Sequence, residues 1–141
     1  MNSNEKTLIT VQTKIKAPID KVWNLWTTPE HITKWNFASD DWQTTFAIND
    51  LRSGGKFLSR MEAKDRSFGF DFSGVYDTVK LNEAIHYTLD DNRKVTIIFE
   101  STGSETNVIE TFEAESDNSI EMQKDGWQAI LNNFKKYTEA N

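Results

Sequence analysis

Two short proline-opened segments near one end of this chain and one long amphipathic segment at the other enclose a stretch that reads almost entirely as β-strand. The first end carries Ala17-Pro18-Ile19-Asp20-Lys21-Val22-Trp23 and then Thr28-Pro29-Glu30-His31-Ile32-Thr33-Lys34-Trp35. The second carries Gly126-Trp127-Gln128-Ala129-Ile130-Leu131-Asn132-Asn133-Phe134. A sheet that covers the apolar stripe of one long helix has to curve around it. The order therefore predicts an α+β fold. A curved antiparallel sheet of about six or seven strands wraps a long C-terminal helix, and two short helices lie between strands 1 and 2.

Each piece of that reading has a local cause. Residues 7–15 alternate, with Ile9, Val11, Thr13 and Ile15 on one face and Thr10, Gln12 and Lys14 on the other, as in a half-buried strand. Pro18 ends the strand and suits the first helical position, where its missing N–H would be unpaired anyway. Ile19, Val22, Trp23 and Trp26 then share one helical face. Thr28 is the expected cap of the second helix, with Pro29 as its first residue and Ile32 and Trp35 turned inward. Trp42, Thr44, Phe46 and Ile48 alternate again. The pairs Asn49-Asp50 and Gly54-Gly55 punctuate the turns that follow. A strand over 57–61, the polar turn Lys64-Asp65-Arg66, and an aromatic stripe of Phe68, Phe70, Phe72 and Tyr76 come next. Gly74 interrupts the stripe and predicts a bulge or bend. Ile85, Tyr87 and Leu89 mark another strand, Asp90-Asp91-Asn92 its turn, and Val95, Ile97 and Phe99 the next. Gly103 turns the chain into a last strand over 107–112. Asn118, with Glu121 three residues on, is read as the cap of the closing helix. Ile120, Trp127, Ile130, Leu131 and Phe134 form its apolar stripe to about residue 137. Glu121, Lys124, Asp125, Gln128, Asn132 and Lys135 face away.

The chain's 141 residues suffice for one domain with a sizeable core, so residues 1–141 are read as a single domain. Nine Phe, five Trp and three Tyr supply a large apolar area for that length, enough to line a pocket as well as a core. The formal net charge of -6, with no run of Lys or Arg, argues against nucleic acid and anionic membranes as partners. The absence of cysteine excludes disulfides, thiolate metal sites and cysteine nucleophiles. Residues 1–6 carry no apolar signal-peptide region and no stretch reaches spanning length, so a cytoplasmic location is expected.

No catalytic residue and no cofactor emerges from the motifs. The two histidines, His31 and His86, are read as exposed, and no His-x-x-x-His or acidic spacing points to a metal. Asp40-Asp41 and Asp90-Asp91 belong to turns or caps, and Asp90-Asp91-Asn92 lacks the Gly and Glu of a calcium loop. Gly54-Gly55 precedes a strand rather than a helix and is no phosphate loop. No serine sits in a Gly-x-Ser-x-Gly elbow.

In order along the chain, Ala17-Pro18 with Val22-Trp23, Pro29-Glu30 with Trp35, Gly54-Gly55-Lys56-Phe57, Phe70-Asp71-Phe72-Ser73-Gly74-Val75-Tyr76 and Gly126-Trp127 resemble the START-like superfamily, also called helix-grip or SRPBCC proteins. Within it the chain resembles the activator of heat-shock-protein-90 ATPase homologue family. The resemblance implies an apolar cavity between sheet and C-terminal helix. Residue parity supports this separately and selects Trp42, Phe46, Phe57, Met61, Phe70, Phe72, Tyr76, Trp127, Ile130 and Phe134 as the candidate cavity lining. Alternation turns Arg60 and Asp71 away from it, while Tyr76 brings a hydroxyl. Three functions stand side by side. The first is a monomeric binding protein for a small hydrophobic molecule, a lipid or aromatic metabolite. The second is a chaperone partner, because the eukaryotic domain that this one resembles forms part of a co-chaperone that stimulates the ATPase of heat shock protein 90. The third is an enzyme like the polyketide cyclases of the superfamily, in which a pocket promotes ring closure largely by positioning. The reading favours binding over catalysis.

Overall fold

The computed structural model describes residues 7–141, and the polar residues 1–6 on which the leader-peptide reading rests lie outside the described residues. Strand β1 (Leu8–Ile15) leads into helices α1 (Ile19–Thr27) and α2 (Pro29–Trp35). Six strands follow: β2 (Trp42–Asn49), β3 (Lys56–Ala63), β4 (Gly69–Lys80), β5 (Ala84–Leu89), β6 (Lys94–Ser101) and β7 (Thr106–Glu113). Helix α3 (Ile120–Ala140) closes the chain. All seven strands join one antiparallel sheet in the order β1-β7-β6-β5-β4-β3-β2. Short turns link β2 through β7 in sequence order, and β1 adds itself beside β7, curling the sheet into a half-barrel around α3. Asn82 and Asn92 take positive φ in two of the tight turns, a conformation that Asn tolerates better than most residues.

Parity decides what the concave face buries. Ile9, Val11 and Ile15 of β1, Ile85, Tyr87 and Leu89 of β5, Val95, Ile97 and Phe99 of β6, and Val108 and Phe112 of β7 are all buried. From α1 and α2 the core receives Val22, Trp23, Leu25, Ile32 and Trp35, and from α3 Leu131 and Phe134. Trp26, Trp35 and Phe134 form a tight aromatic cluster, with ring centroids 4.7–4.8 Å apart. The backbone of α3 runs close to β1, α1 and α2. Towards the middle of the sheet, side chains rather than backbones span the gap.

Four local expectations change. Helix α3 is capped by Ser119, whose hydroxyl accepts from the Met122 N–H at 3.1 Å, not by Asn118. Ile120, expected in the apolar stripe, is exposed, and Gln123 is buried in its stead, tied to the backbone of residues 115, 118 and 119. Thr28 occupies the cap position of α2 but makes no capping bond, since its hydroxyl donates back to Asn24. Gly74 is not a bulge. The register of β4 breaks beyond Tyr76, and Gly74 is a close-approach site where a Cβ would lie 2.4 Å from the Thr88 carbonyl oxygen.

Candidate functional site

A cavity of about 540 Å³ opens between the concave face and α3. Its sheet wall is aromatic. Phe57 on β3, Phe72 and Tyr76 on β4 and Tyr87 on β5 meet edge-on or tilted, with Phe57 only 4.8 Å from Tyr87 and 5.1 Å from Tyr76. Trp127 and Ile130 on α3 form the facing wall. The Trp127 ring stacks on Phe112 at 3.9 Å and meets Phe72 edge-on at 6.1 Å. Gly126 also lines the space, and a Cβ there would meet nothing within 4 Å. Trp26 and Trp35 close one end. Ile48, Phe68, Phe70 and Met122 line the cavity while remaining 40–64% exposed, so they form its apolar mouth.

Of the residues selected from the sequence, Phe57, Met61, Phe70, Phe72, Tyr76, Trp127 and Ile130 come together around this cavity. Phe134 does not reach it and is fully buried behind Trp26 and Trp35. Trp42 packs against Phe68 and Phe70, about 6 Å away, outside the lining. Phe46 faces solvent, 48% exposed. The reason is a β-bulge between Thr44 and Phe46. One extra residue inverts the alternation. Thr44 is buried, with its hydroxyl on the Asn36 carbonyl, yet beyond the bulge Ala47 and Asn49 turn inward and Phe46 outward. Arg60 and Asp71 pair with each other on the convex face at 3.2 Å, as alternation predicts. His31 is half-buried, not exposed, with its Nδ1 2.6 Å from the Tyr137 hydroxyl, and His86 is half-buried on β5.

The polar groups of the cavity fall into two sets. At one side the Tyr76 hydroxyl donates to the Asn49 carbonyl oxygen at 2.5 Å, and the Asn49 amide in turn donates to the Thr27 backbone carbonyl at 2.6 Å. Burial raises the Tyr76 phenol well above its ordinary range, against a small opposing effect of Asn49. The other set centres on Glu110, which sequence reading passed over. Its signal was its position, because Thr106, Val108, Glu110 and Phe112 alternate on the inward face of β7. Glu110 is 5% exposed, and burial pushes its carboxyl up to about 8. Tyr87 stands near enough for Glu110 to add to the upward push that burial gives its phenol. Arg93 reaches the lining as well, but its Nε is held by Asp91 at 2.7 Å. Among the described residues no three His, Asp or Glu side chains gather into a metal-binding group, and no helix is long and apolar enough to cross a membrane.

A family model described as "Activator of Hsp90 ATPase homolog 1-like protein" matches residues 16–139. Among solved structures, the AHSA1-like protein from Aeromonas hydrophila superposes with a TM-score of 0.89 at 42% identity, over 95% of this chain and 93% of that one. A protein from Cytophaga hutchinsonii is 53% identical with a TM-score of 0.82, over 94% of this chain and 92% of its own. A protein from Chromobacterium violaceum shares the fold at 22% identity, with a TM-score of 0.84 over 96% and 99% of the two chains. The comparison with curated proteins gives no match.

Proposed function

The chain belongs to the activator of Hsp90 ATPase homolog 1-like family, and on that footing we propose that it binds a small hydrophobic or aromatic molecule in the cavity between its sheet and α3. The observation that carries this reading is the cavity itself. Its 540 Å³ falls within the roughly 300–1,000 Å³ of small-molecule sites, and its walls are aromatic with few polar groups, as such sites are. Gly126 strengthens the reading. A glycine in mid-helix costs about 1 kcal/mol relative to Ala. At this position it leaves open space rather than admitting a neighbour. In this reading the protein acts as a cytoplasmic monomer and uses no cofactor.

The test is a cavity-filling substitution that spares the fold. Gly126→Leu projects an apolar side chain into the empty space and improves helix propensity. Binding of apolar aromatic and acyl compounds, followed by tryptophan fluorescence, is expected in the wild type and is lost in Gly126→Leu, whose melting temperature is no lower than that of the wild type. Equal binding by both proteins would remove the cavity as the site.

A second reading has an observation of its own. The exposed mouth residues Ile48, Phe68, Phe70 and Met122 form an apolar rim on the surface, and the family is described by its likeness to a chaperone ATPase activator. A co-chaperone role predicts faster ATP hydrolysis by the cognate chaperone, reduced by Phe68→Ser. Unchanged hydrolysis at saturating protein would eliminate it.

A further inference from the structure

The cavity wall holds a carboxyl group that the fold itself does not employ. Glu110 sits in the middle of β7, paired with Val11 on one side and Ile97 on the other, and its inward neighbours along the strand are Val108 and Phe112. Among the described residues nothing donates a hydrogen bond to its carboxyl and no Lys, Arg or His forms an ion pair with it. An acid in such surroundings is costly in its charged form, and replacement by an apolar residue of like size is commonly neutral or stabilising. A structural role would have supplied partners. The partners are missing, and the side chain borders the aromatic-walled cavity between the sheet and α3.

The polar groups that share the cavity lining with Glu110 restrict what can complete it. Tyr87 of β5 and Tyr76 of β4 present phenols held neutral by burial. Arg93, just before β6, spends its Nε on Asp91. Gln123 of α3 spends its amide on backbone carbonyls, and the Glu115 side chain accepts from the Asn118 N–H. Among the described residues, then, no cation of the lining is paired with Glu110. The lining offers instead the aromatic rings of Tyr87, Phe72 and Trp127, whose quadrupoles attract a positive charge.

We propose that Glu110 is the polar anchor of the cavity and that its ligand carries one basic nitrogen on an apolar ring or chain, so that the ammonium group pairs with the carboxylate among the aromatic faces. This deepens the binding reading above and rests on it. Pairing requires the ionised acid. Because burial holds the empty site's carboxyl near 8, a ligand that arrives as a cation at neutral pH displaces the Glu110 proton to solvent. The proton leaves the carboxyl oxygen, the ammonium donates to that oxygen, and no other bond changes.

Isothermal titration calorimetry tests this with two matched pairs of probes: phenethylamine against phenethyl alcohol, and octylamine against octanol. In the wild-type protein at neutral pH each amine is expected to bind at least about tenfold more tightly than its alcohol. The measured heat should also vary with the ionisation enthalpy of the buffer, which reports proton release. In Glu110→Gln the amine preference disappears while the alcohols bind as before. Glu110→Met serves as a second variant with the same expectation. Amines and alcohols that bind equally to the wild type, or an amine preference that survives both substitutions, overturn the assignment of Glu110 and leave the cavity reading standing. If none of the four probes binds the wild type, the cavity reading falls and takes this assignment with it.

Discussion

Glu110 ties stability to pH with a definite sign. Its carboxyl is pushed up to about 8 in the folded protein, against an ordinary value of 4.5, so the folded state keeps a proton that the unfolded chain releases. Its contribution is therefore most favourable below about 4.5 and is lost as pH rises towards 8, by up to about 1.4 kcal/mol per pH unit in between. Glu110→Gln removes that dependence. The variant should match the wild type near the acidic end of that window and exceed it in melting temperature at its alkaline end, as a pH series of thermal denaturation would show. A parallel gain or loss at every pH would mean that Glu110 keeps its ordinary titration in the fold. At the same scale, Phe134 and Phe46 were indistinguishable as apolar members of periodic runs, yet one is fully buried and the other faces solvent. Phe134→Ala should cost about 3–5 kcal/mol. Phe46→Ser should stay within about 0.5 kcal/mol, as exposed substitutions do. Chemical denaturation midpoints check both.

Among the elements, β4 and α3 each carry a glycine, and the two act in opposite directions. Gly74 lies where β4 pairs closely with β5, so a methyl group there meets the backbone of Thr88 and Leu89, which cannot yield. Gly74→Ala should destabilise by about 2 kcal/mol. Gly126→Ala meets open space within a helix and should stabilise by about 0.5–1 kcal/mol. Equal effects in urea titrations would contradict the placement of the cavity beside α3. The sequence made the elements legible because prolines, turn pairs and alternation act over a few residues. It did not reveal the bulge in β2, since Thr44, Phe46 and Ile48 keep unbroken spacing while the register slips by one between the first two. That slip is settled by pairing with β3, a contact that local pattern does not encode. Nor could spacing choose between Asn118 and Ser119 as the cap of α3, because both are capping residues and adjacent in the chain.

For the molecule as a whole, the matched ends were informative because a curled sheet and one long helix have few ways to cover each other. Seven of the ten aromatic and aliphatic positions chosen by parity meet around one space. The empty volume itself could not be read, because an aromatic stripe looks the same whether its rings fill a core or frame a hole. The buried acid escaped for a related reason: a lone Glu among apolar residues carries no motif, and only the register of β7 turns it inward. The central claim is that the space between sheet and α3 is a ligand site, and it is tested most directly by ¹H–¹⁵N NMR during titration with apolar aromatic and amine probes. Shifts confined to β4 from Phe70 to Tyr76, to the neighbourhood of Glu110 and to Trp127 of α3, the indole N–H included, are the predicted result. A well-folded spectrum that stays unchanged across the series, or shifts restricted to the convex face around Arg60 and Asp71, would contradict it.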